Sequence, residues 1–361
     1  MRIAYLVLDD LSRMPGVWKK VVGQVEQWRL LGHDPAVFAC EPRRATHSDL
    51  IHDSRAAAYP DYAAAYILRS LTALRVRREL SDFRPDIVYM RFGVFTPFVS
   101  GTLEVARAPV IIEVNSDDVA EYDRYGPMIG GYNRLTRGLL LSRAAGFVSV
   151  TDELRARLGR PAVLHVVVPN GVAWREFARL PAPGNDRPNI VFVGSSDQPW
   201  QGVDKITYLA KRCPEFTFHV VGPKNVEVLP NVVVHGWKLG KDLQQIYAVS
   251  DAAIGTLALH RKGMNEASPL KVREYLAYGI PSIIGYHDPD LEGHIPGILK
   301  LPNHEHNVAN AVSEIRQFIV AHVGKRVGDG VKLLIDSGRK EAKRVGFFQM
   351  VLDQHRRQAP L

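Results

Sequence analysis

The side chains best suited to chemistry are concentrated in one short segment of the second half of the sequence. Glu266 and Glu274 lie eight residues apart, and Ser268-Pro269 between them has the composition of a helix start. Gly279 is a residue type that commonly follows the last residue of a helix. The pattern predicts a helix with Ser268 as N-cap and Pro269 as first residue. On a single helix the two glutamates would be too far apart to act as a close carboxylate pair. The cap at Ser268 instead places Glu266 in the loop before the helix and Glu274 in its second turn.

The chemistry that fits this segment is binding of a diphosphate. The start of a helix presents free N–H groups and the positive end of the helix dipole to the loop before it. Lys271 and Arg273 add two cations in the first turns, where the dipole disfavours them. An anion is therefore expected beside them. A solvated helix with a chance cap is the alternative interpretation.

Alternating strands and helices must position this segment. Apolar runs predict strands at Ile3–Leu8, Pro35–Ala39, Asp86–Met90, Val110–Val114, Gly146–Val150 and Val163–Val168 in the first half, and at Asn189–Val193, Phe216–Val221, Asn231–Val234, Asp251–Leu257 and Ile280–Ile284 in the second. Nearly continuous apolar strands separated by amphipathic helices indicate parallel sheets covered on both faces. The fold class is therefore α/β.

A proline-rich stretch divides the alternation into two parts. Residues 180–188 contain three prolines and a glycine, which is linker composition. We predict a first domain over 1–178, a second over 179–343 and a terminal helix over 344–361 that returns to the first domain. Two such domains would create a cleft, with ligands at the carboxyl ends of the strands.

The segment around the two glutamates resembles the retaining glycosyltransferases of family 4, which have the GT-B fold of two Rossmann-like domains facing across a cleft. Glu266 and Glu274 match the E-x7-E motif of that family. The motif alone is weak, because two glutamates at this spacing often occur by chance. The wider match, SPLKVREYLAYGIP over residues 268–281, is similar to the bacterial polysaccharide members and is much more specific.

Other segments resemble the family in the same order along the chain. They are Pro15-Gly16 at the N-terminal glycine loop, Pro169–Val172 before the linker, Phe192-Val193-Gly194 with Gly202 at the first strand and turn of the donor domain, and His235-Gly236-Trp237 at the nucleobase. One departure concerns the diphosphate. The family has an arginine and a lysine after the strand that ends at Gly194, whereas residues 195–202 contain no cation. Lys205 and Lys271 are the nearest replacements.

The resemblance implies roles for named positions. Glu266, Lys271 and Asn115 would act at the reacting centre, Asn115 standing roughly where many relatives have a histidine. Donor contacts would come from Gly16, Gly194, Ser195, Lys205, Trp237, Ser268, Pro269, Leu270 and Glu274. Core packing is the alternative for Trp237, and a turn residue at a strand end is the alternative for Asn115. Arg91 would bind an anionic acceptor or cap a strand.

The activity implied is transfer of a hexose-type sugar from a UDP- or GDP-type donor to a glycan or lipid-linked acceptor with retention of configuration. Charge on the departing oxygen would be met by cations and helix ends, and the phosphate itself could take the acceptor proton. No cofactor and no metal is expected. Asp288-Pro289-Asp290 is explained by turn residues, and His304-Glu305-His306 lacks metal-ligand spacing.

Two other functions remain open, and a third is disfavoured. A sugar-nucleotide epimerase shares the two-domain architecture, and the missing arginine and lysine leave a glycosyltransferase-like pseudoenzyme in contention. The net charge of +8 favours a negatively charged partner. A nucleic acid is disfavoured, because the sequence has no recognisable nucleic-acid-binding motif. The sequence gives no indication of oligomeric state.

The sequence also bears on location. The two cysteines, Cys40 and Cys213, lie far apart, and no signal peptide or membrane-spanning run is present, so the cytosol is expected. Residues 62–84 predict a basic amphipathic helix with Arg75, Arg77 and Arg78 on it. It could rest on an anionic membrane at the inner face, or pack on the core with solvated arginines.

Overall fold

The computed structural model describes residues 1–8, 15–39, 51–52, 75–195 and 198–358. The chain forms two compact units, one comprising Met1–Val168 with Ser337–Leu361 and the other Pro169–Asp336. Each unit is a parallel sheet with helices between its strands, which confirms the α/β class and the two Rossmann-like domains.

The first unit contains a seven-stranded parallel sheet. Its strands are β1 (Arg2–Val7), β2 (Asp34–Ala39), β3 (Ile51–His52), β4 (Ile87–Arg91), β5 (Val110–Val114), β6 (Ala144–Ser149) and β7 (Leu164–Val167). They are hydrogen-bonded in the order β3-β2-β1-β4-β5-β6-β7. The two-residue β3 is the strand that the sequence did not predict, because so short a pairing leaves no hydrophobic pattern.

The second unit contains a six-stranded parallel sheet. Its strands are β8 (Asn189–Val193), β9 (Thr217–Val221), β10 (Val232–Gly236), β11 (Ala252–Ile254), β12 (Ser282–Ile284) and β13 (Ile298–Lys300), in the order β10-β9-β8-β11-β12-β13. The edge strand β13 was not predicted. The remaining strands lie within a few residues of the predicted ones.

Helices connect the strands and cover the sheets. Along the chain they are α1 (Pro15–Leu30), α2 (residues 75–83), α3 (Pro97–Val105), α4 (Asp118–Asp123), α5 (Pro127–Leu141), α6 (Asp152–Leu158), α7 (Val203–Arg212), α8 (Gly240–Ala248), α9 (Leu270–Ala277), α10 (Asn307–Asn310), α11 (Val312–His322) and α12 (Ser337–Gln358). Within the described ranges, no helix combines the length and apolar character that crossing a bilayer requires.

Helix α1 shows how the sequence fixes a local structure. Val21, Val25 and Trp28 are fully buried, which confirms the predicted apolar face. The helix ends where Gly32 takes a left-handed φ of +81°, a conformation that a side chain would disfavour. Gly32 N–H donates to the carbonyl of Arg29 (2.9 Å), as the predicted helix end requires. Pro15 is the first helical residue, so Gly16 lies in the helix and not in a loop.

Helix α12 completes the core of the first unit. Phe347, Phe348 and Val351 join the buried cluster formed by the sheet and α1. A Cβ on Gly146 would lie 2.9 Å from Val351 and 3.0 Å from the ring of Phe347, so β6 needs a glycine where the helix packs. The last helix therefore belongs to the first unit.

The proline-rich stretch at 180–188 lies inside the second unit. Leu180 N–H donates to the carbonyl of Tyr278 (3.2 Å), and the Asn185 amide donates to Asp251 (2.8 Å). The units divide after Val168 and before Ser337, whereas composition placed the boundaries after 178 and 343. The prolines correctly indicated an irregular segment, but its hydrogen bonds join it to residues of the second unit.

Candidate functional site

The predicted cap of α9 is wrong by one residue. The helix begins at Leu270 with Pro269 as its N-cap. Ser268 does not cap it, because its hydroxyl accepts a hydrogen bond from Asn170 N–H (2.8 Å) and its carbonyl accepts one from the Asn170 side chain (2.6 Å). Ser268 therefore holds the turn at Pro169–Val172 against the loop before α9. The helix end is as predicted, with Gly279 at φ +79°.

The two glutamates lie where the motif placed them. Glu266 is in the loop before α9, where it forms a parallel β-bridge with His287. Glu274 is in the second turn of α9, and its Oε2 is 3.5 Å from the hydroxyl of Tyr247. Burial and the neighbouring Glu274 carboxylate raise the pKa of Tyr247 well above its ordinary value, so the phenol stays protonated.

The anion expected beside Arg273 is supplied by the protein itself. Its guanidinium is fully buried and pairs with both oxygens of Asp288, at 2.7 Å for one of them, and with Asp290 at 2.7 Å. Its Nε also donates to the carbonyl of Asn170 (3.1 Å). The sequence analysis explained Asp288 and Asp290 as turn residues and did not predict that they pair with Arg273. The available signal was an arginine placed against the dipole of a predicted helix.

Lys271 has no such compensation. Its amine donates to the neutral Oε1 of Gln201 (3.0 Å) and lies 4.1 Å from the centre of the Phe192 ring. In the part of the chain that the structure describes, no carboxylate forms an ion pair with it. Burial lowers the pKa of Lys271 from 10.5 to about 7. The same segment therefore carries one neutralised cation and one that an anion would stabilise.

Gly194 lies directly beside this lysine. A Cβ on Gly194 would lie 2.2 Å from Oε1 of Gln201, the atom that binds Lys271. A Cβ on Gly222 would lie 1.8 Å from the carbonyl oxygen of Gly194. Both positions need glycine, because the backbone after β8 passes between Gln201 and the backbone after β9. The fold thus brings Gly194 and Lys271 together at the carboxyl end of β8.

A pocket of 390 Å³ opens at the carboxyl ends of β8 and β9. We call it the β8–β9 pocket. It is lined by Ser195, Gln198, Pro199, Val203, Asp204, Pro223, Lys224 and Asn225. The predicted donor residue Ser195 is one of these. Asp204 is paired with Arg261 at 2.7 and 2.8 Å, and hydrogen bonding to that guanidinium lowers the pKa of the carboxyl.

The prediction that Lys205 faces the phosphates is wrong. Its amine donates to the carbonyls of Leu257 (3.2 Å) and His304 (2.9 Å) and to the side chain of Asn307 (2.8 Å). Three donors are thus bonded to three internal acceptors, and none remains for a ligand. Lys205 is 5% exposed and ties α7 to the loop before α10.

Trp237 follows β10 and is 53% exposed, which rules out core packing. It is available to stack on a planar ligand, the role that the family resemblance implies. Leu270 lies at the start of α9, half-buried.

Asn115 lies in the first unit, just after β5, in a buried ionic cluster. Its Nδ2 donates to Oε2 of Glu113 (2.9 Å), and its Oδ1 accepts from the amine of Lys20. Lys20 lies 2.9 Å from Glu113, which is fully buried. Burial lowers the pKa of Lys20 to about 8 although Glu113 opposes this shift. Both ends of the Asn115 amide are therefore held in a fixed orientation.

Arg91 and Gly16 are two other positions of the first unit to which the sequence assigned a role. Arg91 Nη1 is 3.9 Å from Oε2 of Glu113, so the guanidinium joins the same cluster. Gly16 is exposed, and a Cβ there would meet no atom within 4 Å. Among the described residues, no group of three His, Cys, Asp or Glu side chains could hold a metal ion.

Comparisons with known proteins agree with this architecture. The model of the glycosyl transferase 4-like domain matches residues 15–171. A search of curated proteins found no match.

Several solved structures have a similar fold over nearly the whole chain. Anabaena HepE in complex with UDP and glucose is 14% identical, with a TM-score of 0.69 over 97% of this chain and 100% of that one. A glycosyltransferase from Rickettsia africae is 14% identical, with a TM-score of 0.66 over 97% and 98%. The sucrose-phosphate synthase of Thermosynechococcus elongatus is 13% identical, with a TM-score of 0.65 over 99% and 98%. These likenesses show the fold of the GT-B glycosyltransferases.

Proposed function

We propose that this protein is a metal-independent glycosyltransferase that moves a hexose-type sugar from a UDP- or GDP-type donor to a glycan or lipid-linked acceptor with retention of configuration. The observation that carries the proposal is the amine of Lys271. Lys271 lies between the two motif glutamates in sequence, its side chain is partly buried, and its hydrogen-bond partner is a neutral amide. Such an amine is stabilised by an anionic ligand.

The surroundings of Lys271 fit a diphosphate. Gly194 brings bare backbone close to it, and α9 begins one residue earlier with the positive end of its dipole. The resemblance to the retaining glycosyltransferases of family 4 implies that the two motif glutamates hold the donor sugar and the ribose, and we assign these roles to Glu266 and Glu274. Trp237, exposed after β10, would stack on the base.

The chemistry follows from the charge that develops on the leaving group. As the bond between the sugar carbon and the diphosphate breaks, negative charge grows on the phosphate oxygen. Protonated Lys271 would stabilise that charge without a metal. Preorganised cations and N–H groups do the same in the active sites of acyl-transfer and phosphoryl-transfer enzymes. The same oxygen can accept the proton of the attacking hydroxyl, so no separate protein base is required.

The similarity to HepE supports the donor class. That protein shares the fold and is described in complex with UDP and glucose. The match of residues 15–171 to the glycosyl transferase 4-like domain supports the same reaction type from a different part of the chain.

A thermal-shift screen of nucleoside diphosphates and their sugars tests the proposal. A ligand that binds the folded state raises its melting temperature according to its affinity. The nucleotide identified is then offered as its sugar, with and without acceptors, in EDTA. We expect turnover with an acceptor, undiminished by EDTA. Conversion of the donor sugar without an acceptor would indicate an epimerase, and activity restored by Mg²⁺ or Mn²⁺ would contradict the mechanism.

Glu266→Ala tests the position of the donor sugar. Because its contact is with the reacting sugar, we expect kcat to fall at least tenfold while binding of the nucleoside diphosphate alone stays the same. Glu314→Ala is a matched control, since Glu314 is an exposed glutamate of the same unit on α11. Equal kinetics for both variants and the wild type would place the reacting sugar elsewhere.

A further inference from the structure

The cation missing after β8 has a candidate replacement on the neighbouring strand. The β8–β9 pocket opens where two adjacent parallel strands end, with Val193 paired to Val221 in register. Gly194 N–H donates to the carbonyl of Val221 (3.0 Å), so the segments after the two strands run side by side. A residue soon after β9 can therefore reach a ligand that lies on Gly194.

Among the described residues that line the β8–β9 pocket, the charge left uncompensated is positive. Asp204 and Lys224 are the ionisable residues among those that line it. The Asp204 carboxylate is neutralised by Arg261, which contacts both of its oxygens. Lys224 is exposed and has no hydrogen bond or ion pair with any residue that the structure describes. The pocket thus offers an ammonium that no described residue compensates, together with the hydroxyl of Ser195 and the amide of Asn225.

Lys205, Lys224 and Lys271, three described lysines near this edge of the sheet, differ in what they can still bind. Lys205 uses all its donors inside the protein. Lys271 has one neutral partner, and Lys224 has none among the described residues. A diphosphate carries more than one negative charge, and one amine leaves it incompletely neutralised.

We propose that Lys224 is the second cation for the diphosphate of the donor, with Ser195 and Asn225 as hydrogen-bond donors in the same pocket. The inference rests on the proposed function, since it assigns a further residue to the same donor site. It places the two cations on different strands, Lys224 after β9 and Lys271 on α9, so that Gly194 lies between the segments that carry them.

The test measures the dissociation constant of UDP and of GDP by calorimetry. For the nucleotide that the wild type binds, we expect Lys224→Met to weaken binding about tenfold or more, as loss of a charge-assisted contact predicts. The affinity of Lys224→Met should also depend less on salt, because one screened charge is gone. Lys224→Arg should keep most of the affinity.

Lys211→Met is the matched control. It removes the same charge from the same unit, but Lys211 lies in the last turn of α7 and pairs with Glu227 at 2.7 Å. We expect its affinity to equal that of the wild type. Thermal unfolding of each variant checks that it folds.

The outcomes separate the two claims. If the wild type binds neither UDP nor GDP, the proposed function fails. If it binds one of them and Lys224→Met binds as tightly as Lys211→Met, the assignment of Lys224 is overturned while the donor class stands. Loss of affinity in Lys224→Met with recovery in Lys224→Arg supports the assignment.

Discussion

Two partly buried lysines, one in each unit, differ in what surrounds their amines. Lys20 in the first unit contacts the carboxylate of Glu113 at 2.9 Å and the amide of Asn115. Lys271 in the second unit contacts the neutral amide of Gln201. Burial lowers the pKa of both, to about 8 for Lys20 and to about 7 for Lys271. Lys20 stays closer to its ordinary value because Glu113 favours its charged form.

The difference separates structural charges from binding charges. Where the fold supplies a buried carboxylate, the cation is neutralised and contributes to one defined packing. Arg273, held by Asp288 and Asp290, belongs to the same structural class as Lys20. Where the fold supplies an amide instead, the cation is destabilised until an anion arrives. A ligand can then be bound with energy that the free protein does not use.

The largest expected effect is a loss of stability when Lys20 loses its paired carboxylate. Glu113→Gln leaves Lys20 and Arg344 beside an uncharged group, and we expect the free energy of unfolding at pH 7 to fall by about 3–5 kcal/mol. Asp152→Asn breaks an exposed pair with Arg155 and should cost less than about 1 kcal/mol. Urea denaturation measures both. Similar small losses would show that the buried cluster is not structural.

The pH dependence of Glu113 has a definite sign. Burial opposes its ionisation, but the charges of Lys20, Arg344 and Arg91 outweigh this and hold the pKa of the carboxyl well below its ordinary value. The stability that it contributes is therefore present above the ordinary pKa and lost as the pH falls toward the folded-state pKa. The difference in the free energy of unfolding between wild type and Glu113→Gln should therefore be smaller at pH 3 than at pH 7. Urea denaturation at the two pH values measures it.

The second-largest expected effect is an increase in the free energy of unfolding. Lys271→Met removes a desolvated amine, so we expect the ligand-free protein to gain roughly 1–2 kcal/mol at pH 6, discounted for partial exposure. Because the folded pKa of about 7 lies below the ordinary 10.5, the unfolded state binds more protons between these values. Wild-type stability should then rise with pH relative to the variant, which denaturation at pH 6 and 9.5 measures. A loss of stability at pH 6 would contradict the comparison.

The pH dependence of nucleotide binding should reflect the protonation of the Lys271 amine. If protonated Lys271 contacts the diphosphate, the dissociation constant should rise by up to tenfold per pH unit above about pH 7.5, because the amine must take up a proton to bind. Lys271→Arg keeps its charge at every pH tested and should show a flat profile. Calorimetry from pH 7.5 to 9 distinguishes the two. Parallel profiles for wild type and arginine variant would exclude Lys271 as the linked group.

The smallest expected effect per charge concerns cations that water already solvates. Arg75, Arg77 and Arg78 are exposed on α2, and Tyr62, Tyr66, Leu71 and Leu74 of the predicted amphipathic helix lie outside the described residues. If this helix rests on anionic lipid, replacing the three arginines with glutamine should weaken vesicle binding, each contributing about 1 kcal/mol near the surface. Sedimentation with anionic and neutral vesicles at low salt measures it. Equal recovery with both would exclude the membrane interaction.

The features that depend on neighbours along the chain could be predicted from the amino-acid sequence. Apolar runs gave the central strands, and the spacing of Val21, Val25 and Trp28 gave the buried face of α1. Gly32 and Gly279 gave the ends of their helices, because a positive φ is cheap for glycine and costly for other residues. The position of Glu274 in α9 followed from the same local rules.

The partner of each polar group could be identified only in the folded chain. Lys205 and Lys271 were equivalent candidates in the sequence, yet Lys205 bonds to Asn307, 102 residues away, and Lys271 to Gln201, 70 residues away. Ser268 had the composition of a cap, but Asn170 occupies its oxygens. Local rules cannot predict such pairings, because they depend on how strands distant in sequence are ordered in a sheet. Charge compensation, and with it the difference between a structural and a binding lysine, is therefore a property of the folded chain.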